Sequence, residues 1–179
     1  MSLLVAGACH DFEHWGVNNI FLIESKDPLA IRYNGNFLYN LNLLDVSVLE
    51  SHHIAASFSI MSQNNCNILE GFNKDDYKRA RTLMISAVLA TDMSKHFADL
   101  SKFKTKVSAA DYDPIKQDKD LTMTIIFHFA DISNPTKPWE ICRKWTDLLF
   151  VEFFHQGDME RDAGRNINYL MDRTTTNIA

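Results

Sequence analysis

From Tyr77 onward, apolar side chains recur at Ala80, Met84, Ala87 and Val88, the i, i+3, i+7 spacing of a single helix face. Asn73, followed three residues later by Asp76, resembles a capping box with Asp in place of the usual Glu. The same periodicity predicts a helix from about Leu121 to Ser133, stopped ahead of Pro135, because a proline disfavours helical geometry in the residue before it. Another starts at Pro138, where a first-turn proline forfeits no hydrogen bond. It runs through Ile141, Trp145, Leu148, Leu149 and Glu152 and ends near Gly157. Leu3–Trp15 and Val46–Gln63 also read as helices. Glu24–Leu44, rich in Asn, and Ser101–Lys119, polar and rich in Lys, read as loops. No alternation of apolar and polar residues lasts long enough to demand a sheet, and only four prolines and six glycines interrupt the chain. The fold class is all-α.

Its 179 residues suit one domain, 1–179, with room for a real core. The net charge of −5 excludes a nucleic acid polymer as main partner, since no basic stripe collects phosphates. A small phosphate substrate stays compatible, because bound metals supply local positive charge. Three cysteines without Cys-x-x-Cys spacing read as reduced thiols of a cytoplasmic protein. The apolar opening before His10 is too short to span a bilayer and has no preceding Lys or Arg. It reads as the tail of a core helix whose upstream part is absent.

Polar groups that could carry chemistry fall in four clusters. In His10-Asp11-Phe12-Glu13-His14, a helical reading puts His10 and His14 on one face and Asp11 about 100° round from His10. An adjacent His-Asp pair suits a dinuclear site, but is also a common surface or capping pair. His128 and Asp131 sit in a strongly apolar stretch, where each is costly unless paired or coordinated. They form either a buried hydrogen bond with each other, or a carboxylate aimed at a metal held by another helix. Glu50-Ser51-His52-His53 and Thr91-Asp92 are capping or surface groups, or partners that orient metal-bound water. No phosphate-binding glycine loop, Gly-x-Ser-x-Gly or Cys–His nucleophile pair is found.

Glu50-x-x-His53 and Glu152-x-x-His155 also match the repeated Glu-x-x-His of di-iron carboxylate bundles. That alternative needs a further Glu on each of two other helices, and Glu13, Glu24 and Glu70 are poorly placed for it. It also leaves His10, Asp11 and Asp131 without a role.

In chain order, six strings resemble the class I 3′,5′-cyclic-nucleotide phosphodiesterases. They are His10-Asp11-Phe12-Glu13-His14-Trp15-Gly16-Val17-Asn18-Asn19, Val48-Leu49-Glu50-Ser51-His52-His53, Leu89-Ala90-Thr91-Asp92-Met93-Ser94-Lys95-His96, His128-Phe129-Ala130-Asp131-Ile132-Ser133-Asn134-Pro135, Trp145-Thr146-Asp147 and Glu152-Phe153-Phe154-His155-Gln156-Gly157-Asp158. The resemblance implies a compact multi-helix HD-type domain and two divalent metal ions, zinc in the tighter site and magnesium (or manganese) in the second. It implies His10, Asp11 and Asp131 as metal ligands, with Asp11 bridging, and His14 as a contact to the substrate phosphate. Glu50, Thr91 and Asp92 then form the outer shell around metal-bound water, and Asn134 and Trp145 border the nucleoside pocket. Asn134 leans towards cyclic AMP over cyclic GMP.

The implied activity is hydrolysis of cyclic nucleotides to 5′-monophosphates in cyclic-nucleotide signalling. Glu13 and Trp15 stand where the family more often has Asp and Pro. The family's upstream His-Asn-x-x-His motif, which includes the general acid, is not found, and neither is its downstream purine-binding Gln. The expectation is therefore a domain truncated at both ends and weakly active or inactive alone. Uncovered apolar faces would favour self-association, for instance as a homodimer. A non-catalytic nucleotide-binding or decoy module, and an HD-type hydrolase of another phosphate ester, are the remaining alternatives.

Overall fold

The computed structural model describes residues 1–33 and 47–177. Eight α-helices occur there: α1 Ser2–Cys9, α2 Asn19–Glu24, α3 Pro28–Tyr33, α4 Val48–Met61, α5 Lys74–Leu89, α6 His96–Val107, α7 Lys119–Asp131 and α8 Trp139–Asp162. Two 3₁₀ turns, Met93–Lys95 and Asn134–Thr136, complete the regular structure, and no strand occurs among the described residues. The chain divides into two compact units, residues 1–13 with 49–132, and residues 14–48 with 133–179.

The first unit is organised by α5. Asn73 Oδ1 accepts from the backbone N–H groups of Asp75 and Asp76, at 3.0 and 2.9 Å. Two otherwise orphaned donors are thereby satisfied. The reciprocal half of a capping box is altered: Asp76 Oδ2 accepts from the Asn73 side chain at 2.7 Å, because Asp is one methylene shorter than Glu. Ala80, Met84, Ala87 and Val88 are all buried, as the periodicity predicts. Met84, Ala87 and Val88 pack in one cluster with Ala6 of α1, Ile54 and Met61 of α4, Leu69, and Phe127 of α7. Helix α1 lies against α5 and α7, and α5 against α7. Ala6 is fully buried, and a Cβ added at Gly7 would meet the Phe127 ring at 3.8 Å. Small residues on α1 thus permit its close approach.

Several boundaries differ from those expected. Helix α1 stops at Cys9 instead of reaching Trp15, so His10–His14 form a turn and not a helix face. The chain turns because Glu13 takes the left-handed conformation, φ 61°, and its neighbours are tied to α4. Helix α6 occupies the first part of the loop expected over Ser101–Lys119. Asp99 in its first turn and Lys104 and Lys106 in its last complement the helix dipole, so polarity there marks a solvated helix. Helices α2 and α3 occupy the start of the loop expected over Glu24–Leu44, whose remainder lies outside the described residues.

In the second unit, Asn18 caps α2 by accepting from the Phe21 N–H at 2.8 Å. Gln156 Oε1 accepts from the Asn18 N–H at 2.8 Å, and its amide donates to Glu160 at 2.7 Å. Glu160 in turn accepts from the Asn168 N–H at 2.9 Å. Gln156 and Glu160 are both buried, so this chain of bonds removes the cost of burying them.

Gly157, the expected helix end, sits inside α8, which continues to Asp162. Its role is close packing: a Cβ there would run into the backbone carbonyl of Met171. Because the obstacle is backbone, Gly157→Ala should cost about 1–3 kcal/mol or more in a urea melt. Gly71→Ala, where a Cβ meets nothing within 4 Å, is the matched control and should be nearly neutral.

Candidate active site

His10 is the C-cap of α1 and Asp131 the last residue of α7, so the packing of those two helices brings their ends together. His10 Nδ1–H donates to the Gly7 carbonyl at 2.9 Å, which orients the ring and turns Nε2 the other way. Nε2 lies 3.2 Å from Asp11 Oδ2 and 3.2 Å from Asp131 Oδ1. The ring stands edge-on to Phe127, with centroids 6.1 Å apart. Hydrogen bonds to the Asp11 and then the Asp131 carboxylates are the main causes that hold a proton on His10, raising its pKa from 6.5 to about 10, with burial opposing them.

Among the described residues, no group of three or more His, Cys, Asp or Glu side chains is placed to hold a metal ion. His10, Asp11 and Asp131 nevertheless have the chemistry of a metal donor set. Ligands bound at about 2.0–2.2 Å and roughly 90–110° apart lie about 3.0–3.5 Å from one another, and the two distances from His10 Nε2, 3.2 Å each, fall in that range. One imidazole nitrogen and two carboxylates are also the donor types that zinc and magnesium accept. A cation among them would take the place of the proton on Nε2.

The turn that carries Asp11 is fastened to α4 by two histidines, His52 and His53, which the sequence suggested as capping or surface groups or as partners of metal-bound water. His53 Nδ1–H donates to the Phe12 carbonyl at 2.7 Å, and His52 Nε2 meets Glu13 Oε2 at 2.8 Å. Both rings are buried. The detectable signal was two consecutive histidines in a helix with a single charged residue, Glu50. Glu50 lies in the first turn of the same helix, half-buried. With His53 committed to Phe12, and Glu152 and His155 on exposed positions of α8, the two Glu-x-x-His pairs are accounted for without iron.

Thr91 and Asp92 are buried just beyond α5, not within it. Thr91 Oγ1–H donates to the Val88 carbonyl at 2.7 Å, and Asp92 Oδ1 accepts from the Ser94 N–H at 2.9 Å, capping the 3₁₀ turn. His128 and Asp131 do not pair with each other. Asp131 reaches His10, while His128 Nε2 meets His96 Nδ1 at 2.8 Å. The His128 Nδ1 atom is buried without a hydrogen-bond partner among the described residues. This histidine pair is the second arrangement that the sequence reading missed.

The remaining candidates belong to the second unit. His14 Nδ1 accepts from the Gly16 N–H at 3.0 Å. A backbone N–H only donates, so that nitrogen keeps its lone pair and the ring proton sits on Nε2. Gly16 has φ 73°, a conformation suited to glycine. Asn134 opens the 3₁₀ turn ahead of α8 and is half-buried, and Trp145 on α8 is 52% exposed.

An all-helical chain in which a histidine and two aspartates meet where two packed helices end has the features of a metal-dependent hydrolase fold. The family model for 3′5′-cyclic nucleotide phosphodiesterase matches residues 1–179, and the chain belongs to that family. The family is metal-dependent in general. The dual specificity calcium/calmodulin-dependent 3′,5′-cyclic nucleotide phosphodiesterase 1B of Bos taurus is 40% identical over 179 residues, 100% of this chain and 31% of the relative. The probable 3′,5′-cyclic phosphodiesterase pde-1 of Caenorhabditis elegans is 38% identical over the same 179 residues, 25% of its length. Among solved structures, that of LmjPDEB1 in complex with IBMX superposes with a TM-score of 0.88 at 34% identity. It covers 99% of this chain, which corresponds to 51% of that one. This chain therefore spans a quarter to a third of the length of these curated relatives.

If the three donors share a cation, His10→Gln and Asp131→Asn should each weaken zinc binding more than about 10-fold by isothermal titration calorimetry. Unchanged affinity in Asp131→Asn would remove that carboxylate from the metal site.

Proposed function

We propose that this protein hydrolyses 3′,5′-cyclic nucleotides to nucleoside 5′-monophosphates, using two divalent metal ions. The observation that carries the proposal is the convergence of His10 Nε2 on Asp11 and Asp131, 3.2 Å from each, in a chain of the phosphodiesterase family. When bound, zinc in the tighter position and magnesium or manganese in the second bring the pKa of water towards neutrality and offset charge on the phosphate.

His10, held by Gly7, offers Nε2 to the tighter position together with Asp11 and Asp131. Asp11 has two carboxylate oxygens and so can serve both positions. Water adds to phosphorus, the bond from phosphorus to the 3′ oxygen breaks on the opposite side, and that oxygen takes up a proton. His14 presents Nε2–H as a donor to a phosphoryl oxygen, where charge grows as the water adds. Glu50, Thr91 and Asp92 order the water around the site. Asn134 and Trp145 border the nucleoside, and an asparagine amide can pair with adenine through both of its groups, which supports cyclic AMP among the substrates.

A cytoplasmic setting belongs to the same proposal and is supported by three cysteines, none in a disulfide. No helix among the described residues is long and apolar enough to cross a membrane.

The test is hydrolysis of cyclic AMP and cyclic GMP by the full-length protein supplied with zinc and magnesium. Asp131→Asn should abolish turnover, and His14→Ala should lower kcat by about 10²–10³-fold, the usual cost of one donor to the developing charge. A folded, metal-loaded protein that binds the nucleotides but hydrolyses neither would instead establish a binding module.

A further inference from the structure

Asn134 and Trp145 are joined by a third side chain, Lys137, to which the sequence reading assigned no role. Lys137 Nζ lies 2.6 Å from Asn134 Oδ1 and 5.9 Å from the centroid of the Trp145 ring. The second distance is within the range at which an ammonium is attracted to an aromatic face. The same two residues are also joined through the backbone, where the Lys137 N–H donates to the Asn134 carbonyl at 3.2 Å. Thr136 strengthens the turn: its N–H and its hydroxyl both donate to the Ser133 carbonyl, at 2.9 and 2.7 Å. Pro135, within the turn, fixes its own φ.

The chemistry of the lysine settles the orientation of the amide. An ammonium has three donors and no acceptor, so the Asn134 atom facing it must be the carbonyl oxygen, not the nitrogen. One lone pair of Oδ1 is then engaged, and the ammonium's charge stands beside the oxygen. An asparagine pairs bidentately with adenine only by accepting from the N6 amino group through Oδ1 while donating through Nδ2. Lys137 competes for the accepting half of that pairing and leaves the donating half intact. Guanine presents O6 and N7, both acceptors, and so loses nothing to an amide whose oxygen is engaged.

We propose that Lys137 is a specificity-determining residue: by engaging Asn134 Oδ1 from its place over Trp145, it weakens adenine pairing and brings cyclic GMP closer to cyclic AMP as a substrate. The inference rests on the proposed hydrolytic function and on Asn134 facing the base. Lys137 acts on the base through Asn134 and is a positioning residue, not a catalytic one. Its side chain is exposed, so removing it should leave the fold unchanged.

The experiment is kcat/KM for cyclic AMP and for cyclic GMP in the full-length protein, in Lys137→Met and in Lys137→Arg, with melting temperatures for all three. Lys137→Met should raise the cyclic AMP to cyclic GMP ratio about 3- to 10-fold, the worth of one neutral hydrogen bond. Lys137→Arg, still a donor without an acceptor, should keep the ratio of the unaltered protein. A merely structural lysine would lower both activities together, or move the melting temperature, and leave the ratio unchanged. An unchanged or lowered ratio in Lys137→Met, in a protein that turns over both nucleotides, overturns the role of Lys137 alone. Hydrolysis of neither nucleotide by the unaltered protein overturns the functional reading and this inference with it.

Discussion

How closely α1 approaches α5 and α7 governs whether a site can exist in the first unit. His10 caps α1 and Asp131 ends α7, so their 3.2 Å contact reports where two helix axes run. Ala6, with no exposed surface, sets that distance, while a Cβ at Gly7 would only reach ordinary contact with Phe127 at 3.8 Å. A larger side chain at Ala6 would push the helix ends apart and separate His10 from Asp131. The core cluster around Met84 and Phe127 and the His10–Asp11–Asp131 trio are in this sense one construction, because close packing transmits small displacements.

The turn after α1 shows how the protein offsets the cost of an awkward backbone. Glu13 adopts a left-handed conformation that a non-glycine residue enters at some expense, of order 1 kcal/mol or more. Buried His52 and His53 receive that turn from α4, one on the Glu13 carboxylate and one on the Phe12 carbonyl. The result is that Asp11 faces His10 from a rigid turn. In the second unit the same device recurs in another form, with buried Gln156 fixing Asn18 and buried Glu160 fixing Asn168. Both arrangements bury polar groups only where each finds a partner.

Much of the fold could be read from periodicity. Met84, Ala87 and Val88 fall on the core face of α5 as their spacing requires, and α7 and the start of α8 lie close to their expected positions. The misreadings share a cause. Gly157 looks like a helix end in one dimension, because the carbonyl of Met171 that demands a glycine comes from residues far along the chain. The polar Ser101–Lys119 stretch looks like a loop because only Ser101–Val107 of it lies in α6, and half of the apolar stripe of that helix, Phe97 and Leu100, lies upstream of it. His10–His14 looks helical because nothing local announces that Glu13 will turn the chain.

By itself, then, the sequence determined the all-helical class and the core face of α5, and it singled out His10, Asp11 and Asp131 as candidates, since these depend on residue type and short spacing. Only the tertiary structure decided which donors meet. It gave Asp131 to His10 and His128 to His96, although His128 and Asp131 are neighbours one helical turn apart. It also set Lys137 between Asn134 and Trp145. The physical reason is that a hydrogen bond acts over about 3 Å, whereas spacing along a chain constrains distance only within one helical turn. Beyond that turn, the packing of one element on another selects the partner.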